Sequence, residues 1–170
     1  MRKLSDFEIN FSGLKNGQHK YNYIIDKTFF EFFNYNEFID SSYKSNLILD
    51  KKTSLIDFKF SSHGYVTLNC DITNEPFNLN TSSNLEFIVK FGNEYNDDND
   101  EIIFLPHGSS RINVSQYIYE MIVLSIPLKR VNPEIKKNKN INLENFKSNK
   151  SKVNNDPRWN ELKKLLKKKH

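Results

Sequence analysis

An α+β fold, built on a predominantly antiparallel curved sheet or partly closed barrel with one packed helix, is predicted by three features of the chain. Short runs in which apolar and polar residues alternate recur between turn-forming stretches, as in antiparallel strands with one buried face. One longer run, residues 113–126, spaces its apolar residues as a helix does. Charge is divided unevenly: residues 1–128 hold 11 Lys and Arg against 17 Asp and Glu, while residues 129–170 hold 14 against 4. The chain therefore divides into a body at 1–128, a basic flexible linker at 129–155 and a short basic amphipathic helix at 156–170.

The body opens with an expected hairpin. Phe7, Ile9 and Phe11 alternate with polar residues, residues 13–17 supply a glycine turn, and Tyr21, Tyr23 and Ile25 resume the alternation. Asp26 is placed to cap a short helix, because Thr28, Phe29, Phe30, Phe32 and Phe33 follow too densely for a half-buried strand. This aromatic cluster reads as core. Strand-like segments follow at 43–49, 55–60, 65–72, 77–79, 85–91 and 101–104, a spacing that favours antiparallel meanders over strand–helix alternation. The alternating run around Cys70 is expected to continue to Ile72 and stop at Thr73-Asn74-Glu75-Pro76, a hairpin with Pro76 in the turn or at the start of the return strand. Residues 93–100 read as a solvated acidic loop, with a cation or basic-partner site as the alternative, since Glu94, Asp97, Asp98, Asp100 and Glu101 repel one another and lack the spacing of a calcium loop.

The body's helix is specified at its start. Asn113 is placed as N-cap, Gln116 for the reciprocal bond of a capping box, and Ile112 to staple against Tyr117. Val114, Ile118, Met121, Ile122 and the pair Val123 and Leu124 then form a broad apolar face, with Glu120 off it, until Pro127 ends the helix. In the tail, Asp156 and Pro157 start a second helix whose stripe is Trp159, Leu162 and Leu166. Arg158, Lys163, Lys164, Lys167 and Lys168 surround that stripe. An isolated helix of this length is marginal in water, so it awaits a surface, either the body or a partner.

Composition narrows the chemistry. The single cysteine, Cys70, excludes an intrachain disulfide and a zinc site built from cysteines, and it fits the reducing cytoplasm. Neither a signal peptide nor an apolar stretch of membrane-spanning length is present, so no membrane contact is expected. The four histidines, His19, His63, His107 and His170, form no ligand pair. Ser109, Ser110 and Ser115 lack a nucleophile elbow, and the glycines make no phosphate loop. Cys70 reads as a small hydrophobe in a structural role, since no nearby pattern supplies charge to lower its pKa. No catalytic residue, metal or cofactor is expected. The basic tail is suited to polyanions, because neutralising phosphates releases counterions, although the same charge also keeps a polar tail solvated.

Three patches, taken in order, resemble the YceD family. They are Cys70-Asp71-Ile72-Thr73-Asn74-Glu75-Pro76-Phe77; the stretch from His107-Gly108-Ser109-Ser110-Arg111-Ile112-Asn113-Val114 into Tyr119-Glu120 and on to Pro127; and Asp156-Pro157-Arg158-Trp159-Asn160-Glu161-Leu162. The opening segment is most similar to Bacteroidetes members. The resemblance implies a large ribosomal RNA subunit accumulation protein, associated with 23S rRNA accumulation. It implies Cys70, Pro76, Phe77, Asn113, Glu120 and Pro127 as structural motif positions. The family commonly carries cysteines at the positions of Cys70 and Thr73, and only the first is present here. The expected function is a non-enzymatic, cytoplasmic ribosome-biogenesis factor that contacts a pre-50S particle through 23S rRNA or a large-subunit ribosomal protein. The contact residues are expected to be Arg158, Trp159, Leu162, Lys163, Lys164, Leu166, Lys167 and Lys168. The alternative is an adaptor whose acidic body engages a basic ribosomal protein without touching RNA.

Overall fold

The computed structural model describes residues 4–99 and 101–135. The chain falls into two units, Met1–Asn132 and Pro133–His170, and every element below belongs to the first. A 3-10 turn, Leu4–Phe7, leads into β1 (Glu8–Asn10), β2 (Gly17–Asp26), α1 (Lys27–Glu31), β3 (Asp40–Lys51), β4 (Leu55–Asn69) and β5 (Pro76–Gly92). Then come β6 (Asn96–Asn99), β7 (Ile102–Pro106), β8 (Arg111–Asn113) and α2 (Ser115–Leu124). Six strands form one sheet in the order β2-β3-β4-β5-β7-β6, and β1 and β8 form a separate pair. The α+β class holds. The sheet ends at β2 and β6 without closing, so it is open and not a barrel.

One face of the sheet is the core. Tyr43, Leu47 and Leu49 of β3 and Ile56, Phe58, Phe60, Val66 and Leu68 of β4 are buried, with Ser45 and Ser62 among them, while the alternate residues are exposed or half-buried. Burying each such side chain contributes about 2 kcal/mol against exposure. Over this face lie the β1–β8 pair and the helices. Phe7 stacks on Tyr23 of β2 with ring centroids 5.1 Å apart, and Phe11 meets Phe91 of β5 at 5.8 Å, so β1 crosses the sheet. Asp26 caps α1 as expected, accepting from the amide of Phe29. Phe29, Phe30 and Phe33 then join an aromatic cluster with Tyr35, Phe38 and Tyr119 of α2.

Several expectations are corrected. β1 pairs with β8, Ile9 opposite Ile112, and not with β2, which pairs with β3. Alternation identifies a buried face but not the strand that fills the ladder. Here Lys51 redirects the chain, its ammonium donating to the carbonyls of Phe11 at 2.9 Å and Leu14 at 2.8 Å. The segment 55–60 and residues 65–69 merge into the 15-residue β4, with 70–72 in the turn and not in the strand, and 77–79 and 85–91 merge into the 17-residue β5. The Ser, His, Gly and Asn residues taken for turns pair with one another: Ser61 with Asn84, Ser62 with Ser83, Gly64 with Thr81. Gly64 is required because Tyr43 lies across it; a Cβ there would stand 2.6 Å from the Tyr43 Cα.

Two further readings change. Residues 93–100 are not all loop, since β6 pairs antiparallel with β7, and β7 runs parallel to β5 within an otherwise antiparallel sheet. The capping box of α2 does not form. Val114 occupies the N-cap without a side-chain bond, Asn113 Oδ1 accepts from the Ser115 amide at 2.9 Å, and Gln116 turns to Glu120. The local cause is β8: Asn113 is its last residue, held by pairing with Glu8, so the helix begins one position later. α2 buries Ile118, Met121 and Ile122, but Leu124, expected on the same face, is 83% exposed.

Candidate functional site

Two features on the body stand out: a clasp at the β4–β5 turn and a groove beside α2. The turn begins at Cys70, whose amide donates to the Glu75 carbonyl and whose carbonyl accepts from Asn74. Asn74 takes the left-handed conformation, φ 57°, which asparagine tolerates better than most residues. Pro76 starts the return strand, where its missing N–H removes no bond that the expected turn requires, and Phe77 anchors that strand in the core.

The segment at 130–132 is tied to this turn. The Asp71 amide donates to the Arg130 carbonyl at 2.8 Å, and the Arg130 amide donates back to the Asp71 carboxylate at 2.6 Å. Arg130 also pairs through its guanidinium with Glu37, which holds that carboxyl below its ordinary range. Three distant stretches of chain thus meet, and Val131, next to Arg130, is buried.

Cys70 lies inside the clasp and departs from the sequence expectation. Its sulfur accepts from the backbone N–H of Asn132, the largest influence, and from those of Ile72 and Thr73 and the Thr73 hydroxyl. These donors outweigh desolvation and pull the thiol down to about 7. Its charge is favoured by hydrogen bonds from neutral groups, which no charge pattern in the sequence announces. Thr73 thus supplies a donor to the sulfur of Cys70. Among the described residues no three His, Cys, Asp or Glu side chains gather as metal ligands.

The groove lies between α2 and the edge of β5 and has a volume of about 600 Å³. Leu85, Phe87 and Ile103 form its floor, Tyr117, Met121 and the exposed Leu124 its wall, and Gln116 and Glu120 its polar rim. At one end, the hydroxyls of Tyr43, Thr81 and Ser125 lie in a chain, 2.7 Å and 3.0 Å apart, that fastens the end of α2 to the sheet. Ser83 lines the groove with a buried hydroxyl that has no hydrogen-bond partner among the described residues.

Of the motif positions, Cys70, Pro76 and Phe77 come together at the clasp, and Glu120 stands on the groove. Asn113 joins β8 to the first turn by donating to the Leu4 carbonyl at 3.1 Å, and Pro127 is exposed beyond α2. The expected contact residues Arg158, Trp159, Leu162, Lys163, Lys164, Leu166, Lys167 and Lys168 lie outside the described residues. Sequence reasoning missed Glu37 and Arg130, which carry no local signal. It also missed Asp71, whose only signal is its place beside Cys70.

Fold and clasp together define an α+β protein organised on one long open sheet. The sequence profile of the YceD family, described as large ribosomal RNA subunit accumulation protein YceD, matches residues 58–166. The chain belongs to the YceD family. Comparison with curated proteins and with solved structures gave no match. The matched stretch begins inside β4 and includes Cys70, Asp71 and Arg130 of the clasp, the groove and α2, and it leaves Glu37 and β1 to β3 outside.

Proposed function

We propose that this protein is a non-enzymatic factor of large-subunit assembly that supports 23S rRNA accumulation in the cytoplasm. In this reading the basic tail contacts a pre-50S particle, through 23S rRNA or a large-subunit ribosomal protein. Membership of a family described by large-subunit rRNA accumulation carries the reading. The division of charge supports it, since 14 of the 25 Lys and Arg residues follow residue 128. Arg158, Lys163, Lys164, Lys167 and Lys168 provide salt-sensitive attraction to phosphate, without base selection. Trp159, Leu162 and Leu166 seat the helix in a protein groove. The clasp contributes by fixing residues 130–132, from which the tail continues.

The test compares three variants on isolated pre-50S particles: truncation after Asn155, neutralisation of the five basic positions, and Trp159→Ala. Truncation is expected to abolish most association. Neutralisation is expected to flatten the dependence of log K on log salt by about 4, from roughly 0.7–0.9 per phosphate contact. Trp159→Ala is expected to weaken association with little change in that slope. Parent-like binding by all three would remove the tail from the account.

A further inference from the structure

The middle of β5 has no strand on its far side among the described residues. β7 runs beside only its end, from Ile88 opposite Ile102 to Gly92 opposite Pro106. On that side the Ile88 amide donates to the Glu101 carbonyl, and the Gly92 carbonyl accepts from His107. Register with β4 is unbroken along the whole of β5, so the same parity runs back along the strand. Asn78, Asn80, Ser82, Asn84 and Glu86 therefore all direct N–H and C=O away from β4, toward an open edge.

Edges of this length are ordinarily blunted by charge, proline or a bulge. Residues 77–85 hold no charged residue and no proline, and the ladder to β4 shows no bulge. The opposite edge of the sheet, β2, carries Lys20 within it. Only the β5 edge borders the α2 groove. A strand laid along it would turn alternate side chains inward, toward Leu85, Met121 and Leu124, and the others outward beside the exposed Glu86–Lys59 ion pair, whose atoms stand 3.0 Å apart. The unpartnered hydroxyl of Ser83 faces the same space. The groove lining holds one carboxylate, Glu120, and no cation.

We propose that this edge takes up an extended peptide in which apolar and basic residues alternate, adding it to the sheet as a strand beside residues 78–86. Backbone pairing supplies the affinity, and the apolar groove, with the Glu120 carboxylate on its rim, supplies the selection. The proposal deepens the assembly reading by giving the body a protein partner. It stands or falls apart from any contact made by the tail.

The experiment uses the full chain and, as probe, an octapeptide of alternating valine and lysine, with amide exchange resolved by NMR. The amides of Asn78, Asn80, Ser82, Asn84 and Glu86 are expected to exchange rapidly in the free protein. At saturating peptide they should slow by about tenfold or more, while their odd-numbered neighbours hold their rates. Combining Ser82→Lys with Asn84→Lys, both exposed positions, is expected to weaken binding about tenfold by like-charge repulsion without lowering Tm. A probe N-methylated at alternate residues is expected not to bind. Three outcomes overturn the proposal: binding that ignores both changes, protection of the five amides already in the free monomer, or protection that rises with protein concentration. The second would assign the edge to the chain itself and the third to another copy. If the probe fails to bind while tail truncation still abolishes association with pre-50S particles, this proposal falls and the assembly reading remains.

Discussion

Gly64→Ala is expected to be among the most damaging single substitutions in the body. The added Cβ would lie 2.1 Å from the Ser42 carbonyl oxygen, 2.6 Å from the Tyr43 Cα and 2.8 Å from its Cδ1. Ordinary contacts of this kind stand at about 3.5 Å, so β3 and β4 must part by about 1 Å at the Tyr43–Gly64 pair. Parting disrupts roughly two ladder bonds, worth about 1 kcal/mol each in net terms. Overpacking adds about 1–3 kcal/mol, and the reduced freedom of the unfolded chain returns about 0.5–1 kcal/mol. The expected loss is about 3 kcal/mol, or a fall in Tm of about 10 °C for a domain of this size. Urea and thermal unfolding measure it, with Gly13→Ala as control, since a Cβ there meets nothing within 4 Å. The control should stay within about 0.5 kcal/mol of the parent. A Gly64→Ala protein equally close to the parent would show that Tyr43 does not cross Gly64, and the β3–β4 register would be wrong.

Further outcomes follow from the buried polar groups. Ser45 and Ser62 sit opposite each other with buried hydroxyls that have no partner among the described residues. Ser45→Ala or Ser62→Ala should therefore each stabilise the protein by about 1 kcal/mol in urea unfolding; a loss would reveal a partner for the hydroxyl. Thiolate absorbance near 240 nm should rise with a midpoint near pH 7 in the parent and vanish in Cys70→Ala, a midpoint near 9 being the contrary result. Because folding lowers this pKa, the thiolate's contribution to stability is complete above about pH 9 and is lost as pH falls through about 7. Tyr23 acts in the opposite sense. Burial raises its hydroxyl from 10.0 to about 12, so its contribution is present below pH 10 and disappears by about 12. Stability against pH should thus climb between 7 and 9 and fall beyond 10, and Cys70→Ala should flatten the climb alone.

Side-chain alternation made the faces of the sheet legible, but not the neighbours of each strand. Phe7, Ile9 and Phe11 are buried as their spacing requires, yet nothing in that spacing names β8 as the partner. Strand continuity was hidden for a different reason. Ser61, Ser62, His63 and Gly64 have the composition of a turn, but Gly64 is small to accommodate Tyr43, and Ser83 lies where α2 approaches the sheet. The Asp26 cap and the start of β5 at Pro76 were readable because each depends on a few neighbouring residues. The clasp was not, because Glu37, Asp71 and Arg130 meet only through the tertiary fold. The groove is equally remote from sequence, since it depends on where β7 stops along β5.

The assembly role is tested most directly by the ratio of 23S to 16S rRNA in cells depleted of this protein, read together with subunit profiles and with complementation by the intact chain. A fall in 23S relative to 16S rRNA and a diminished 50S peak are expected, both restored by the intact chain and not by the truncation after Asn155. An unchanged 23S to 16S ratio and an unchanged 50S peak on full depletion would contradict it.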